Sequence, residues 1–163
     1  GVERVASAIP TIMCCEAVPE SSVTYVTVDD EGAAYNAVKY LHSLGRRRVA
    51  FINGPASFKY AKERNRGYLA ALEEAGIACD RTLVGEVGPD MDFETAKAIA
   101  INMLNSPDRP DAFFCISDVL ACAAEKAALE AGLSVPDDIA IVGFDDVIAS
   151  HMANPSITIS SVL

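Results

Sequence analysis

From residue 31 onward the apolar positions alternate between a helical period and short unbroken runs. "EGAAYNAVKYLHSLG" (31–45) puts Ala34, Val38, Leu41 and Leu44 on one helical stripe, with Gly45 as a left-handed stop. "RVAFING" is then a continuous apolar run broken by Gly54-Pro55, as expected of a buried strand and its exit loop. "KERNRGYLAALEEAGI" predicts a helix with Tyr68, Leu69, Leu72 and Ala75 inward and Gly76 at its end. "TLVGEV" predicts a strand, and "DFETAKAIAINMLNS" a helix halted by Pro107 and Pro110. "DAFFCIS" is a buried strand, "VLACAAEKAALEAGL" a helix stopped by Gly132, and "DIAIVGF" the next strand.

The predicted order is α-β-α-β-α-β-α-β. Strands that alternate with helices and lack polar alternation belong in a parallel sheet covered on both faces, so the fold class is α/β, a doubly wound parallel sheet. In such sheets ligands gather beyond the carboxyl ends of the strands. That singles out Asn53 to Ser57, Val87 to Asp92, Ser117 with Asp118, and Asp145 with Asp146. "IPTIMCC", "VTYVTVD" and the terminal "SITISSVL" are β-rich without helices of their own and read as chain passing to or from a second sheet, the remnants of a second lobe.

At 163 residues, just over half of them apolar, the chain has room for about one domain with a sizeable core. A formal charge of −10, from 23 acids against 13 bases, argues against a surface that coats nucleic acid. The one dense basic cluster, Arg46, Arg47 and Arg48, reads as a solvated turn after a helix. Five cysteines (Cys14, Cys15, Cys79, Cys115, Cys122) without a C-x-x-C spacing read as small, reduced core residues of a cytosolic protein. His42 and His151 have no Cys or His at metal-ligand spacing, so neither a metal nor another cofactor is expected. No run of about 18 apolar residues and no leader pattern is present, which predicts no membrane partner. The opening "GVERVASAIPTIMCC" reads as entered in mid-domain.

Enzyme chemistry finds little support. Neither G-x-x-x-x-G-K-[ST] nor G-x-G-x-x-G occurs, and Ser117 has no G-x-S-x-G context and no strand-end histidine. Asp118 and Asp145 could act as an acid–base pair on a glycoside, accept hydrogen bonds from ligand hydroxyls, or cap the following helix. Arg64, near the start of a helix, could reach into a strand-end crevice, where its five donors would suit a ligand rich in hydroxyls or an acidic group. The alternative is a structural pair with a neighbouring carboxylate.

"VTYVTVDDEGAAYNAVKYLHSLGRRRVAFINGP", "ERNRGYLAALEEAGI", "FFCISDVLACAAEKAALEAGLSVPDDIAIVGFDD" and "NPSITIS" resemble, in order and spacing, the effector-binding region of LacI/GalR-type bacterial transcriptional regulators. The likeness covers nearly all of residues 9–160. It implies a periplasmic-binding-protein-like fold: two doubly wound lobes joined by three crossovers, a small molecule closing the cleft, and a separate helix-turn-helix headpiece on operator DNA. Residues 30–155 then correspond to the C-terminal effector-binding lobe. Residues 1–29 would be a remnant of the N-terminal lobe with the first crossover, and 156–163 the return crossover. The headpiece, the hinge and most of the first lobe are not in this sequence.

By the same resemblance Arg64 matches the family's effector-clamping arginine, Asp145 its strand-end acceptor, and Asp118 the acid of its "ND" or "GD" pair. Asp145 is expected to face the cleft, and Asp146 to cap or orient "VIASHMANP". Ser117 departs from the asparagine of many sugar-responsive members, and Met91 from the aromatic of purine-responsive ones. Phe58 and Tyr60 fall in the loop before Arg64, where an aromatic either stacks on a base or sugar ring or covers the core. "CCEAVPE" resembles a cytidine-responsive member. The expectation is a cytoplasmic, homodimeric regulator, a repressor, whose effector is a sugar or a nucleoside or purine. The alternative is a transport-type sugar-binding protein of the same fold.

Overall fold

The structure, a computed structural model, describes residues 1–15, 18, 20–145 and the backbone of 158–160. Thirteen segments follow in order, one of them a 3-10 turn. They are α1 (Val2–Ala6), β1 (Met13–Cys14), β2 (Tyr25–Val26), α2 (Asp30–Ser43), β3 (Val49–Asn53), α3 (Lys59–Glu74), a 3-10 turn (Arg81–Leu83), β4 (Val84–Glu86), α4 (Phe93–Leu104), β5 (Ala112–Cys115), α5 (Asp118–Glu130), β6 (Ala140–Phe144) and β7 (Thr158–Ser160). The main sheet is parallel throughout, in the order β4-β3-β5-β6-β7. β1 and β2 pair separately, also in parallel.

The chain steps one way from β3 to β4, then back past β3 to β5 and on to β6. Right-handed crossovers therefore place α3 on one face and α4 and α5 on the other. α2 packs on α3, and α4 on α5. The reversal between β3 and β5 is the topological switch point of a doubly wound sheet, and the crevice it opens lies beyond the strand carboxyl ends.

β3, β5 and β6 are buried on both faces, which explains their unbroken apolar runs. Phe51 pairs in register with Phe114, and their rings stack 5.0 Å apart; Tyr68 from α3 stacks on Phe51 at 4.9 Å. Each fully buried ring of this set contributes about 2–3 kcal/mol of transfer free energy. Asp29, Asp92 and Ser117 cap α2, α4 and α5 by accepting from Gly32 N, Thr95 N and Leu120 N. Gly45, Gly76 and Gly132 take left-handed φ, and in each case the next residue's N–H returns to the helix: Arg46 to Leu41 O, Ile77 to Leu72 O, Leu133 to Ala128 O.

Several expectations need correction. Leu44 and Leu69 are exposed rather than inward, because the stripe they extend has already turned away from the sheet; Ala71 fills the place assigned to Leu69. The terminal strand Thr158–Ser160 joins the main sheet beside β6 and not a second one. Arg46 and Arg48 are more than a solvated turn. Arg46 donates to the carbonyls of Pro136 and Asp137, and Arg48 to that of Asp108 and to Asp80, so they tie three loops at the amino end of the sheet. Of the cysteines only Cys115 is fully buried, while Cys14, Cys15 and Cys79 are exposed.

Candidate functional site

A concave pocket of about 670 Å³ opens beyond the carboxyl ends of the strands, within the size range of small-molecule sites. Each βα connection supplies part of its wall. Tyr60 and Arg64 follow β3, Asp90 and Met91 follow β4, Ile116 and Ser117 follow β5, and Phe144 and Asp145 end β6. Cys15, Val28 and Asp30 close it from the amino-terminal segment.

Arg64 is its centre. It stands in the second turn of α3 and is about nine-tenths buried, at 6% exposure, yet it lies on the pocket wall. Its Nε and Nη2 both reach Asp30 Oδ1 at 2.8 Å, and Nη1 donates to the carbonyl of Ile116. Cζ sits 3.4 Å from the centroid of the Phe144 ring and 5.3 Å from that of Tyr60. On the pocket side, Nη2 is 3.7 Å from Asp145 Oδ1, which is beyond hydrogen-bond length. Arg64 is therefore paired with a carboxylate while also lining the crevice.

Asp145 takes left-handed backbone at φ 95°, and its side chain is half exposed. Burial of its carboxyl pushes the pKa above the ordinary value; Arg64 pulls it down and Asp30 adds to the rise. Asp30 is 1% exposed, and its Oδ2 has no hydrogen-bond partner among the described residues. The site thus concentrates Asp30, Asp90 and Asp145 around one arginine.

The other expected residues divide. Ser117 and Met91 line the pocket, and Ser117 also caps α5; Met91 has φ 51°, in the turn it closes with Gly88 O. Asp118 is not on the wall. It is buried at the start of α5 against Gly143, where its Oδ1 fills the space a Cβ on that glycine would need. Phe58 stacks on Tyr60 at 5.5 Å from outside the pocket. Asn53 to Ser57 do not line it either: Asn53 turns inward, donating to Ala61 O and accepting from Gly54 N. Asp146 and the segment "VIASHMANP" lie outside the described residues.

Sequence reasoning missed Asp30 and Phe144, whose side chains help to hold Arg64. The signal for Asp30 was the doubled acid at the start of α2, where Asp29 alone suffices as the cap. Among the described residues no group of three His, Cys, Asp or Glu side chains is placed to hold a metal ion. No helix among them is long and apolar enough to cross a membrane.

Comparison with known proteins agrees with this architecture. Residues 38–162 match the family described as periplasmic binding protein-like domain. The HTH-type transcriptional regulator DegA of Bacillus subtilis is 39% identical over 158 residues, covering 96% of this chain and 46% of DegA. The HTH-type transcriptional repressor CytR of Escherichia coli is 35% identical over 149 residues, covering 91% of this chain and 43% of CytR. Among solved structures, the transcriptional regulator CelR–cellobiose complex superposes with a TM-score of 0.83 at 34% identity, over 94% of this chain and 47% of that one. A LacI-family regulatory protein from Chloroflexus aggregans gives 0.86 at 28% identity, over 97% and 56%. The chain spans less than half the length of the curated relatives it matches. It belongs to the periplasmic binding protein-like domain family, in its LacI-type branch, and corresponds to the effector-binding region.

Proposed function

We propose that this chain is the sensing part of a LacI-type transcriptional repressor and that its pocket binds a neutral, hydroxyl-rich small molecule, a sugar or a nucleoside. The observation that carries this reading is Arg64. Its guanidinium has five N–H donors, and Asp30 and Ile116 O take three of them, so an N–H on each terminal nitrogen remains for a ligand oxygen. Asp145 supplies the acceptor opposite, Ser117 a hydroxyl, and Tyr60 and Met91 apolar wall for the ring. One cation among three carboxylates disfavours an anionic ligand, so sugar phosphates and nucleotides are poor candidates.

In this reading residues 30–155 are the C-terminal lobe, residues 1–29 and 156–163 belong to the crossovers, and Asp118 and Phe58 support the pocket from outside. Effector closure against a second lobe would shift the affinity of a separate headpiece for operator DNA, in a cytoplasmic homodimer. The CelR–cellobiose complex supports a sugar and the likeness to the repressor CytR supports repression, against a transport protein of the same fold.

The test is a thermal-shift screen of the full-length protein against sugars, nucleosides and purines, since a ligand bound only by the folded state raises its apparent stability. Arg64→Ala, checked for folding by circular dichroism, abolishes the shift given by the hit. A shift of unchanged size in that variant would overturn the reading.

A further inference from the structure

β1 ends at Cys14, and the next residue, Cys15, is a second thiol that lines the pocket. Successive side chains of an extended strand point to opposite faces. Cys15 instead takes φ 67°, which turns its thiol to the side of Cys14 and brings the two Sγ atoms to 3.5 Å. Both residues are exposed.

Two fates of such a pair are distinguishable by geometry. A disulfide joins Cα atoms about 4.4–6.8 Å apart, whereas neighbours across a trans peptide are held about 3.8 Å apart. The pair is therefore poorly set for oxidation. A single thiophilic centre asks only for a suitable distance between the sulfurs. At sulfur–metal bonds of about 2.3 Å, a linear centre spans roughly 4.6 Å, a tetrahedral one roughly 3.8 Å, and a pyramidal one with near-right angles roughly 3.3 Å. The observed 3.5 Å lies between the pyramidal and tetrahedral values and well short of the linear one. A tetrahedral metal would need further ligands, and the described residues hold no such cluster.

We propose that Cys14 and Cys15 form a chelating site for a monosubstituted trivalent arsenical, with the organic substituent accommodated by the pocket beside Cys15. The reaction is a condensation without redox change: R–As(OH)2 and two thiols give R–As(S–Cys)2 and two waters. Two S–H and two As–O bonds break, and each thiol proton leaves on a departing hydroxide. The hydrogen bond shared with Cys14 holds the Cys15 pKa above its ordinary value, so this thiol offers little thiolate for disulfide exchange. The site stands whether or not the pocket's natural ligand is the one proposed above.

The experiment titrates the reduced full-length protein with phenylarsine oxide and reads the adduct by intact mass and peptide mapping. One arsenic bridging Cys14 and Cys15 is expected, stable to glutathione and released by 2,3-dimercaptopropanol. Cys14→Ser and Cys15→Ser should each weaken binding on the order of 100-fold, because the second bond is no longer intramolecular. Cys79→Ser and Cys122→Ser should leave it unchanged. Absence of an adduct on the native protein, or an equally tight adduct in either of the first two variants, would overturn the proposal.

Discussion

Arg64 lies against Phe144, its guanidinium carbon 3.4 Å from the ring centroid, so the last residue of β6 forms the floor on which the pocket's cation rests. Asp30 and the Ile116 carbonyl then fix the rotation of the guanidinium in its own plane. Stacking of this kind, away from water, is worth about 2 kcal/mol. Phe144→Leu keeps every polar partner of Arg64 but removes the floor. The expected result is effector binding about tenfold weaker by calorimetry, together with about 1–2 kcal/mol of lost stability from the smaller side chain. Unchanged affinity would mean that Asp30 and the Ile116 carbonyl orient the arginine without the ring.

Asp145 predicts a pH dependence with a definite sign. Burial raises its pKa above the ordinary 3.8, with Arg64 opposing the shift and Asp30 adding to it. The ionised carboxylate is the stronger acceptor for ligand hydroxyls, and protonation turns one of its oxygens into a donor, so affinity is highest well above the raised pKa and falls as pH drops through it. Asp145→Asn should bind more weakly at neutral pH and with no slope across that window. Stability responds in the opposite sense: a raised carboxyl pKa penalises the folded state at neutral pH, and acidification relieves the penalty. A native protein whose affinity is flat from neutral pH to pH 4 would remove Asp145 from the contact.

What the sequence disclosed, and what it hid, follows from how local each cause is. The helix stops at Gly45, Gly76 and Gly132 and the buried strands depend on neighbours a few residues away, so pattern alone locates them. The strand-end rule likewise named Met91, Ser117 and Asp145, and the start of the following helix named Arg64; all four line one pocket. Asp30 escaped because its partner is 34 residues distant and an acid in a helix's first turn already has an ordinary explanation in the helix dipole. The anchoring of Arg46 escaped for the same reason, since its acceptors are carbonyls about 90 residues later. Asp118 stands at a strand end but does not line the pocket, because the close approach of α5 to Gly143 packs its carboxylate against β6.

Gly67 sets the distance between α2 and α3. A Cβ there would meet the backbone nitrogen of Tyr35 at 2.8 Å and Ala34 Cβ at 2.9 Å, and would press on the carbonyl of Glu31. Backbone cannot swing aside as a flexible side chain can. Gly67→Ala should therefore destabilise by about 1–3 kcal/mol, outweighing the gain of about 1 kcal/mol in helix propensity. For a chain of this length that lowers the melting midpoint by about 2–4 °C per kcal/mol. It should also loosen the first turns of α3, where Arg64 stands. A midpoint that stays or rises would show that the two helices can part without loss.

Glu125 is the least favourably placed acid among the described residues of α5. It is 6% exposed on a face otherwise built from Ala121, Ala124 and Ala128, and its Oε1 has no partner among the described residues. Burial raises its pKa above the ordinary 4.5, so ionisation in the folded state is disfavoured. The penalty is present at neutral pH and disappears as pH falls through the raised pKa, because the folded side chain then binds its proton first. Glu125→Gln keeps the shape and removes the charge. Its expected effect is a melting midpoint about 2–4 °C higher at pH 7, equivalent to about 1 kcal/mol, with the difference closing as the pH approaches 4.5. A gain that persists undiminished at pH 4 would point to packing rather than charge, and a loss at pH 7 would mean that the ionised carboxylate has a partner worth more than its desolvation.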